Sequence, residues 1–197
     1  MGREFELKYR ATAGQIQAVR DAFGPFRTIS METAYYDTPD RSLSARRWTL
    51  RRRLENSISV CTLKIPVENG SRGEWETEAD DLMAAVPILC KLGCPEELAV
   101  LVRSGVTEVC GARFVRQAAP VAFESCKLEL ALDQGVLLGG GKELPLCEVE
   151  VELKEGSDEN TLAFAKLLAA TYGLTPEHAS KYKRALTLSL EKNNNRR

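Results

Sequence analysis

The sequence has 197 residues, of which 44% are hydrophobic and 28% charged, and its 27 Lys and Arg residues nearly balance its 28 Asp and Glu residues. This length and composition predict one globular domain with its own core, and they exclude a disordered chain and a membrane-spanning one. A net charge of -1 creates no overall field for nucleic acid or an anionic membrane, so neither is expected as a partner. Any bound anion must be held by a local cluster of charge.

The start of the chain and its cysteines predict a cytoplasmic protein. Residues 1–10 alternate charged and apolar side chains and contain no apolar run as long as that of a signal peptide. The six cysteines form no CxxC pair, and we interpret them as reduced structural thiols. With a single histidine, His178, a zinc site is not expected, so carboxylates would have to hold any metal.

The first predicted element is a strand over residues 4–9 with a two-residue period, which places Glu4, Glu6 and Lys8 on one face. Thr12 caps a short helix that ends before Pro25. More strands are predicted at residues 33–36, 48–54, 59–65 and 74–78, separated by turns such as 37–40 and Asn69-Gly70-Ser71.

The middle and the end of the chain add helices. Two helices, broken at Pro87 and Gly93, are expected to pack outside the sheet, and a later one ends at Gly173. Thr175-Pro176 is expected to open the last helix. The predicted ranges are helices at 81–92, 96–103, 160–172 and 175–190, and strands at 113–116, 123–132 and 147–154. Residues 1–190 form one predicted domain, followed by a polar tail at 191–197.

Several predicted strands carry one charged and one apolar face. The residues that share a charged face are Arg51 and Arg53; Arg72, Glu74 and Glu76; and Glu148, Glu150 and Glu152. An ordinary sheet with one solvated face would also show this pattern. Because the pattern recurs and helices are available to cover an apolar outer surface, we favour the inverse arrangement, strands that close into a barrel with a charged lumen.

A charged lumen needs a ligand that offsets the cost of desolvating its charges. A polyphosphate bound together with a divalent metal carries both signs of charge. Lysine and arginine suit phosphate oxygens, and the candidates are Lys8, Arg51, Arg53 and Lys64. Carboxylates suit Mg²⁺ or Mn²⁺, and the candidates are Glu4, Glu6, Glu148, Glu150 and Glu152.

A series of short motifs rich in charged residues follows in order along the chain. The first is the ExExK pattern of Glu4, Glu6 and Lys8. The others, in order, are Tyr35-Tyr36-Asp37-Thr38-Pro39, Leu50-Arg51-Arg52-Arg53, Thr62-Leu63-Lys64, Arg72-Gly73-Glu74-Trp75-Glu76, Arg113, Glu129-Leu130-Ala131-Leu132-Asp133, Cys147-Glu148-Val149-Glu150-Val151-Glu152-Leu153 and Ser180-Lys181-Tyr182. One ExExK pattern is a weak signal, whereas an ordered set over nearly the whole chain is specific. This set resembles the CYTH domain of the triphosphate tunnel metalloenzymes.

The resemblance implies an α+β, mainly β fold, a closed eight-stranded antiparallel barrel with helices packed outside. It implies phosphate contacts from Lys8, Arg51, Arg53, Lys64, Arg72, Arg113 and Lys181. It implies Mg²⁺ or Mn²⁺ ligands at Glu4, Glu6, Glu148 and Glu150, with Glu152 extending the acidic run. Lumen-facing acids in supporting roles are expected at Glu74, Glu76, Glu129 and Asp133. Near Arg113 the sequence departs from the commoner Lys-x-Arg pattern, because position 111 is Gly and Arg116 has the opposite parity.

The expected activity is hydrolysis of a triphosphate by a metal-activated water that attacks the terminal phosphorus, with Glu4, Glu6, Lys8 and Glu150 as the catalytic residues. Inorganic triphosphate is the favoured small-molecule substrate because no base-specific pocket is evident. A class IV-type adenylate cyclase, a thiamine triphosphatase and a non-catalytic polyphosphate or nucleotide binder remain alternatives. The sequence leaves the preferred metal and the oligomeric state open.

Overall fold

The computed structural model describes residues 2–67 and 72–191, with side chains from Glu4 onward. The predicted turn at Asn69-Gly70-Ser71 and the tail from Lys192 lie outside these residues. The described strands are β1 (Gly2–Glu4), β2 (Glu6–Arg10), β3 (Arg27–Asp37), β4 (Thr49–Glu55), β5 (Ile58–Pro66), β6 (Arg72–Glu78), β7 (Thr107–Phe123), β8 (Cys126–Gly139), β9 (Lys142–Glu155) and β10 (Thr175–Pro176). The described helices are α1 (Ala13–Ala22), α2 (Ser42–Ala45), α3 (Leu82–Lys91), α4 (Glu97–Leu101), α5 (Asp158–Tyr172) and α6 (Lys181–Leu190), with a 3₁₀ turn at Val102–Ser104.

The helix boundaries follow the capping residues. Thr12 and Gln15 form a reciprocal capping box at the start of α1. Gly173 ends α5 in the left-handed conformation, as its sequence position predicts. The predicted start of the last helix is wrong: residues 175–176 form β10, which pairs with β2, and α6 begins after Ser180, whose hydroxyl accepts from the Lys183 amide. The N-cap at Ser180, and not the proline at position 176, therefore sets the start of α6.

The strands form one antiparallel sheet in the order β1-β6-β5-β4-β3-β7-β8-β9-β2-β10. The expectation of a closed eight-stranded barrel is therefore wrong, because the described residues contain ten strands whose pairing has two ends. The N-terminal segment causes the difference. It divides at Phe5 into β1, which pairs with β6, and β2, which pairs with β9. Since one residue separates two strands at opposite sides of this order, the sheet must curl back on itself.

The curled sheet places its apolar faces outward, as the strand pattern predicts. On one side, α1 and α5 cover a core cluster that includes Ile16, Leu130 and Phe164. On another side, α3 and α4 cover a second cluster that includes Leu63 and Trp75. Their packing against the outer face agrees with the expected position of the middle helices. The charged faces are left to line the concave side.

No helix in the described ranges combines the length and the apolar character that a bilayer crossing requires.

Candidate functional site

The concave face of the sheet encloses a cavity of about 620 Å³. Among the described residues, nine Glu side chains and nine Lys or Arg side chains line it. These charges cancel in number, so a strongly anionic ligand entering alone would leave the cavity with excess negative charge. A ligand that brings anionic and cationic groups together keeps the balance.

Two arginines of β4 form the part of the cavity wall that is best suited to bind an anion. The side chains of Arg51 and Arg53 are 12% and 16% exposed. Their Nε atoms are buried and have no hydrogen-bond partner among the described residues. Burial and the neighbouring charge of Arg51 lower the pKa of Arg53 from its ordinary value, although its Nη2 contacts Glu55. Buried, partly unsatisfied guanidinium groups are suited to accept phosphate oxygens.

The N-terminal strands supply carboxylates already paired with lysines. Lys64 on β5 contacts Glu4, and its Nζ lies 3.3 Å from the nearer carboxylate oxygen of Glu74. The Nζ of Lys8 lies 2.7 Å from Glu6 Oε1. Burial raises the pKa of Glu4. Burial would also raise the pKa of Glu6, but the charges of Lys8 and Lys64 lower it below its ordinary value.

The floor of the cavity is a dense ion network beneath α6. The Nζ of Lys181 lies 2.8 Å from Asp133 Oδ2, 2.7 Å from Glu148 Oε2 and 2.6 Å from Glu150 Oε1. Arg116 donates to both oxygens of Asp133 and also contacts Glu150. Burial disfavours the Lys181 charge, but the three carboxylates raise the pKa of Lys181 above its ordinary value. The ammonium group therefore stays charged at neutral pH.

The cavity gathers most of the side chains that the sequence singles out. The basic ones that line it are Lys8, Arg51, Arg53, Lys64, Arg72 and Lys181. The acidic ones that line it are Glu4, Glu6, Glu74, Glu76, Glu129, Glu150 and Glu152. Tyr35 faces the cavity, whereas Tyr36 packs against the outer cluster. Their roles in binding and catalysis remain predictions.

Three predicted site residues do not line the cavity. Arg113 lies on the outside of the sheet, where its side chain is 61% exposed and pairs with Glu143, so its expected position in the lumen is wrong. The cause is strand phase, because side chains three residues apart on a regular strand point to opposite faces. Asp133 and Glu148 have no solvent exposure and lie beneath the cavity floor, held by Lys181 and its neighbours.

Sequence reasoning missed several residues of the site. Arg116 lines the cavity where Arg113 is expected, and only the register of β7, which sets Arg116 opposite Asp133 on β8, distinguishes the two. Glu55 lines the cavity beside Arg53, and it shares the parity of Arg51 and Arg53. Arg184 contacts Glu148 from α6, a pairing that no local pattern encodes.

The donor set fits a hard divalent cation. Glu4, Glu6 and Glu152 line the cavity, and the paired strands β2 and β9 place Glu6 opposite Glu152. Carboxylate oxygens are the ligands that Mg²⁺ and Mn²⁺ prefer. Among the described residues, the acidic group whose ligand oxygens lie within 4.8 Å of one another is a different one, Asp133, Glu148 and Glu150, and its centre is held by Lys181.

Comparison with known proteins places this architecture among characterised ones. The model of the CYTH domain family matches residues 2–186. An inorganic triphosphatase of Haemophilus influenzae is 29% identical over 164 residues, which are 82% of this chain and 47% of that protein. The chain thus spans about half the length of this curated relative.

Solved structures share the fold. A Hippeastrum protein described as an adenylyl cyclase candidate with a dominant triphosphatase activity superposes with a TM-score of 0.64 at 21% identity, covering 92% of this chain and 93% of its own. The PH1819 protein of Pyrococcus horikoshii superposes with a TM-score of 0.63 at 23% identity, covering 93% of this chain and 98% of its own. At these identities the likeness concerns the fold alone.

Proposed function

Because this chain belongs to the CYTH domain family, we propose that it is a divalent-metal-dependent triphosphatase that hydrolyses inorganic triphosphate to diphosphate and orthophosphate. The observation that carries the proposal is a cavity with balanced charges, lined by carboxylates and by buried arginines whose Nε atoms have no hydrogen-bond partner among the described residues. A metal–triphosphate complex presents cationic and anionic groups at once. The name of the Haemophilus influenzae relative supports the same substrate.

Ligand binding would exchange partners within the cavity. Without ligand, Lys64 contacts Glu4 and Lys8 contacts Glu6. In the proposed complex both lysines turn to phosphate oxygens, and both carboxylates become free to hold the cation. Each buried charge keeps an opposite charge beside it, so the exchange avoids the cost of an uncompensated ion.

The basic wall would bind and orient the substrate. Arg51 and Arg53 offer planar guanidinium forks that match pairs of phosphate oxygens, while Lys8 and Lys64 act as point charges. Phosphoryl transfer depends mainly on alignment and charge neutralisation, so no nucleophilic side chain is required. Holding the chain of phosphates along this wall fixes which phosphorus is open to water.

The acidic edge would hold the metal. Glu4, Glu6 and Glu152 provide its oxygen ligands, and Glu150 borders them on the cavity floor. A bound Mg²⁺ or Mn²⁺ ion supplies charge neutralisation and Lewis acidity for attack by water. Burial keeps the local dielectric low, which strengthens each of these electrostatic interactions.

The proposal is tested by product analysis with purified protein. Inorganic triphosphate, ATP and thiamine triphosphate are each incubated with Mg²⁺, with Mn²⁺ and with EDTA, and orthophosphate, pyrophosphate and cyclic nucleotide are measured. We expect metal-dependent release of orthophosphate from inorganic triphosphate. Cyclic AMP with pyrophosphate from ATP would indicate a cyclase. Binding of the triphosphates without any product would indicate a non-catalytic binder.

A further inference from the structure

The three acidic residues beneath the cavity floor form a group with the spacing of a metal site. Asp133, Glu148 and Glu150 each place one carboxylate oxygen within 4.8 Å of the other two. All three side chains are buried, with exposures of 0%, 0% and 7%. Three buried carboxylates so close together require a cation between them.

The cation is supplied by the chain itself. The Nζ of Lys181 lies 2.6–2.8 Å from one oxygen of each carboxylate, so the ammonium group takes the centre of the triangle. An ammonium group has three protons to donate, and three acceptors surround this one. It donates a hydrogen bond to Glu150 Oε1, while Asp133 and Glu148 are held to it by charge, since Glu148 Oε2 has no hydrogen-bond partner among the described residues.

Two arginines neutralise the remaining carboxylate charge. Arg116 contacts Asp133 and Glu150, and Arg184 contacts Glu148. The network therefore contains three carboxylates and three side-chain cations. A divalent ion could bind at the centre of this group only by displacing the Lys181 ammonium group from three carboxylates at once.

Two other lysines of the cavity, Lys8 and Lys64, are arranged differently. Lys8 and Lys64 lie in the cavity wall and can exchange a carboxylate for a phosphate oxygen without leaving the site. Lys181 also lines the cavity, but two of its three carboxylate partners, Asp133 and Glu148, do not, so turning its ammonium group to a phosphate oxygen would leave both of them without it. The site thus has one set of exchangeable ion pairs and one fixed set.

We propose that Lys181 is a built-in counter-ion that takes the place of a divalent cation at Asp133, Glu148 and Glu150, so that metal binds only at the carboxylates lining the cavity. Lys181 is then a positioning residue. It keeps Glu150 and the N-terminal end of α6 in place and does not act as a phosphate ligand. Glu148, expected from the sequence to bind metal, instead binds Lys181 and Arg184. The proposal rests on the proposed function only in assuming that cavity carboxylates bind metal.

The test is the number of Mn²⁺ ions bound per chain, measured by titration calorimetry and by electron paramagnetic resonance of free Mn²⁺ without any substrate. We expect Lys181→Ala to bind one more Mn²⁺ ion than the wild-type chain, because removing the ammonium group exposes three carboxylates. The double variant Lys181→Ala, Glu148→Gln should return to the wild-type number. Lys127→Ala is the matched control, since it removes an exposed lysine that pairs with Glu155 and does not line the cavity.

The outcomes separate this inference from the proposed function. The counter-ion role is overturned if Lys181→Ala binds the same number of Mn²⁺ ions as the wild-type chain. It is also overturned if the single substitution Glu148→Gln lowers the number of Mn²⁺ ions bound. A wild-type chain that binds no Mn²⁺ contradicts the proposed metal dependence, whereas a gain of one ion in Lys181→Ala would still support the counter-ion role. If Lys181→Ala does not fold, Lys181→Met keeps the buried methylene groups and has the same expected gain.

Discussion

Arg51 and Arg52 are adjacent on β4 and give a matched pair of substitutions. Arg51 is 12% exposed in the cavity wall; its Nε has no hydrogen-bond partner within residues 2–67 and 72–191, and its Nη2 lies 3.5 Å from Glu74 Oε1. Arg52 points outward and donates to the carbonyl oxygen of Asp80 at 3.0 Å. Each change to Ala removes one positive charge, so the net charge of the two variants is the same.

The expected difference in affinity follows from the contacts that each arginine can make. Hydrogen bonds to charged groups contribute about 1.5–3 kcal/mol each. The guanidinium group of Arg51 can donate two such hydrogen bonds to phosphate oxygens. The gain is reduced because binding breaks its long contact with Glu74. A net loss of about 3 kcal/mol corresponds to about 100-fold weaker binding of inorganic triphosphate for Arg51→Ala. Arg52→Ala should change affinity less than about twofold, because its charge lies outside the wall and is screened by salt.

The KM for the metal–triphosphate complex, taken from initial rates of phosphate release with Mg²⁺, compares the effect of the two substitutions on substrate affinity. A melting curve of each variant shows whether it is folded. Equal weakening in the two variants would refute the assignment of the β4 charged face to the substrate.

Three further predictions concern the acidic edge, the phase of β7 and the charge on α6. Glu4→Gln should lower the rate of metal-dependent phosphate release by about 100-fold, through loss of about 3 kcal/mol of transition-state stabilisation. Glu32→Gln, at an exposed position, should keep the wild-type rate. Equal rates in the two variants would contradict the metal assignment. Arg116→Ala should lower the free energy of unfolding in urea by about 3–5 kcal/mol, because it breaks a buried ion pair. Arg113→Ala should lower it by less than about 1 kcal/mol, because its ion pair is exposed. The reverse order would show that the assigned phase of β7 is wrong. Because the pKa of Lys181 is raised above its ordinary 10.5, the stability that its charge contributes is fully present below that value and is lost only as the pH rises through the raised pKa. The difference in melting temperature between wild type and Lys181→Met in EDTA should therefore stay constant from about pH 7 to pH 10, and a difference that vanishes across this range would contradict the charged state.

The features of the site that the sequence predicts are those set by local period. Alternation along one strand places Glu4, Glu6 and Lys8 on a common face, and all three side chains line the cavity. The same rule separates Arg51 from Arg52. It also places Trp75 outside, where it packs beneath α3 and α4.

The features that the sequence does not predict depend on pairing between distant segments. The division of the N-terminal segment at Phe5 depends on which strands lie on each side of it, so the closed eight-stranded barrel could not be distinguished from the observed sheet. Arg113 and Arg116 are both plausible from the sequence, and only the register of β7 against β3 and β8 selects Arg116. The partners of Lys181 lie on β8 and β9, more than 30 residues earlier, and no spacing rule connects them.

The most direct test of the proposed activity is a phosphorus NMR time course of inorganic triphosphate with the wild-type chain and Mg²⁺, repeated with EDTA and with Glu4→Gln. The account predicts that the triphosphate signals are replaced by orthophosphate and diphosphate in equal amounts, and only with the metal and the intact carboxylate. Unchanged triphosphate signals with Mg²⁺ or Mn²⁺, or the same rate of hydrolysis in EDTA, would contradict it.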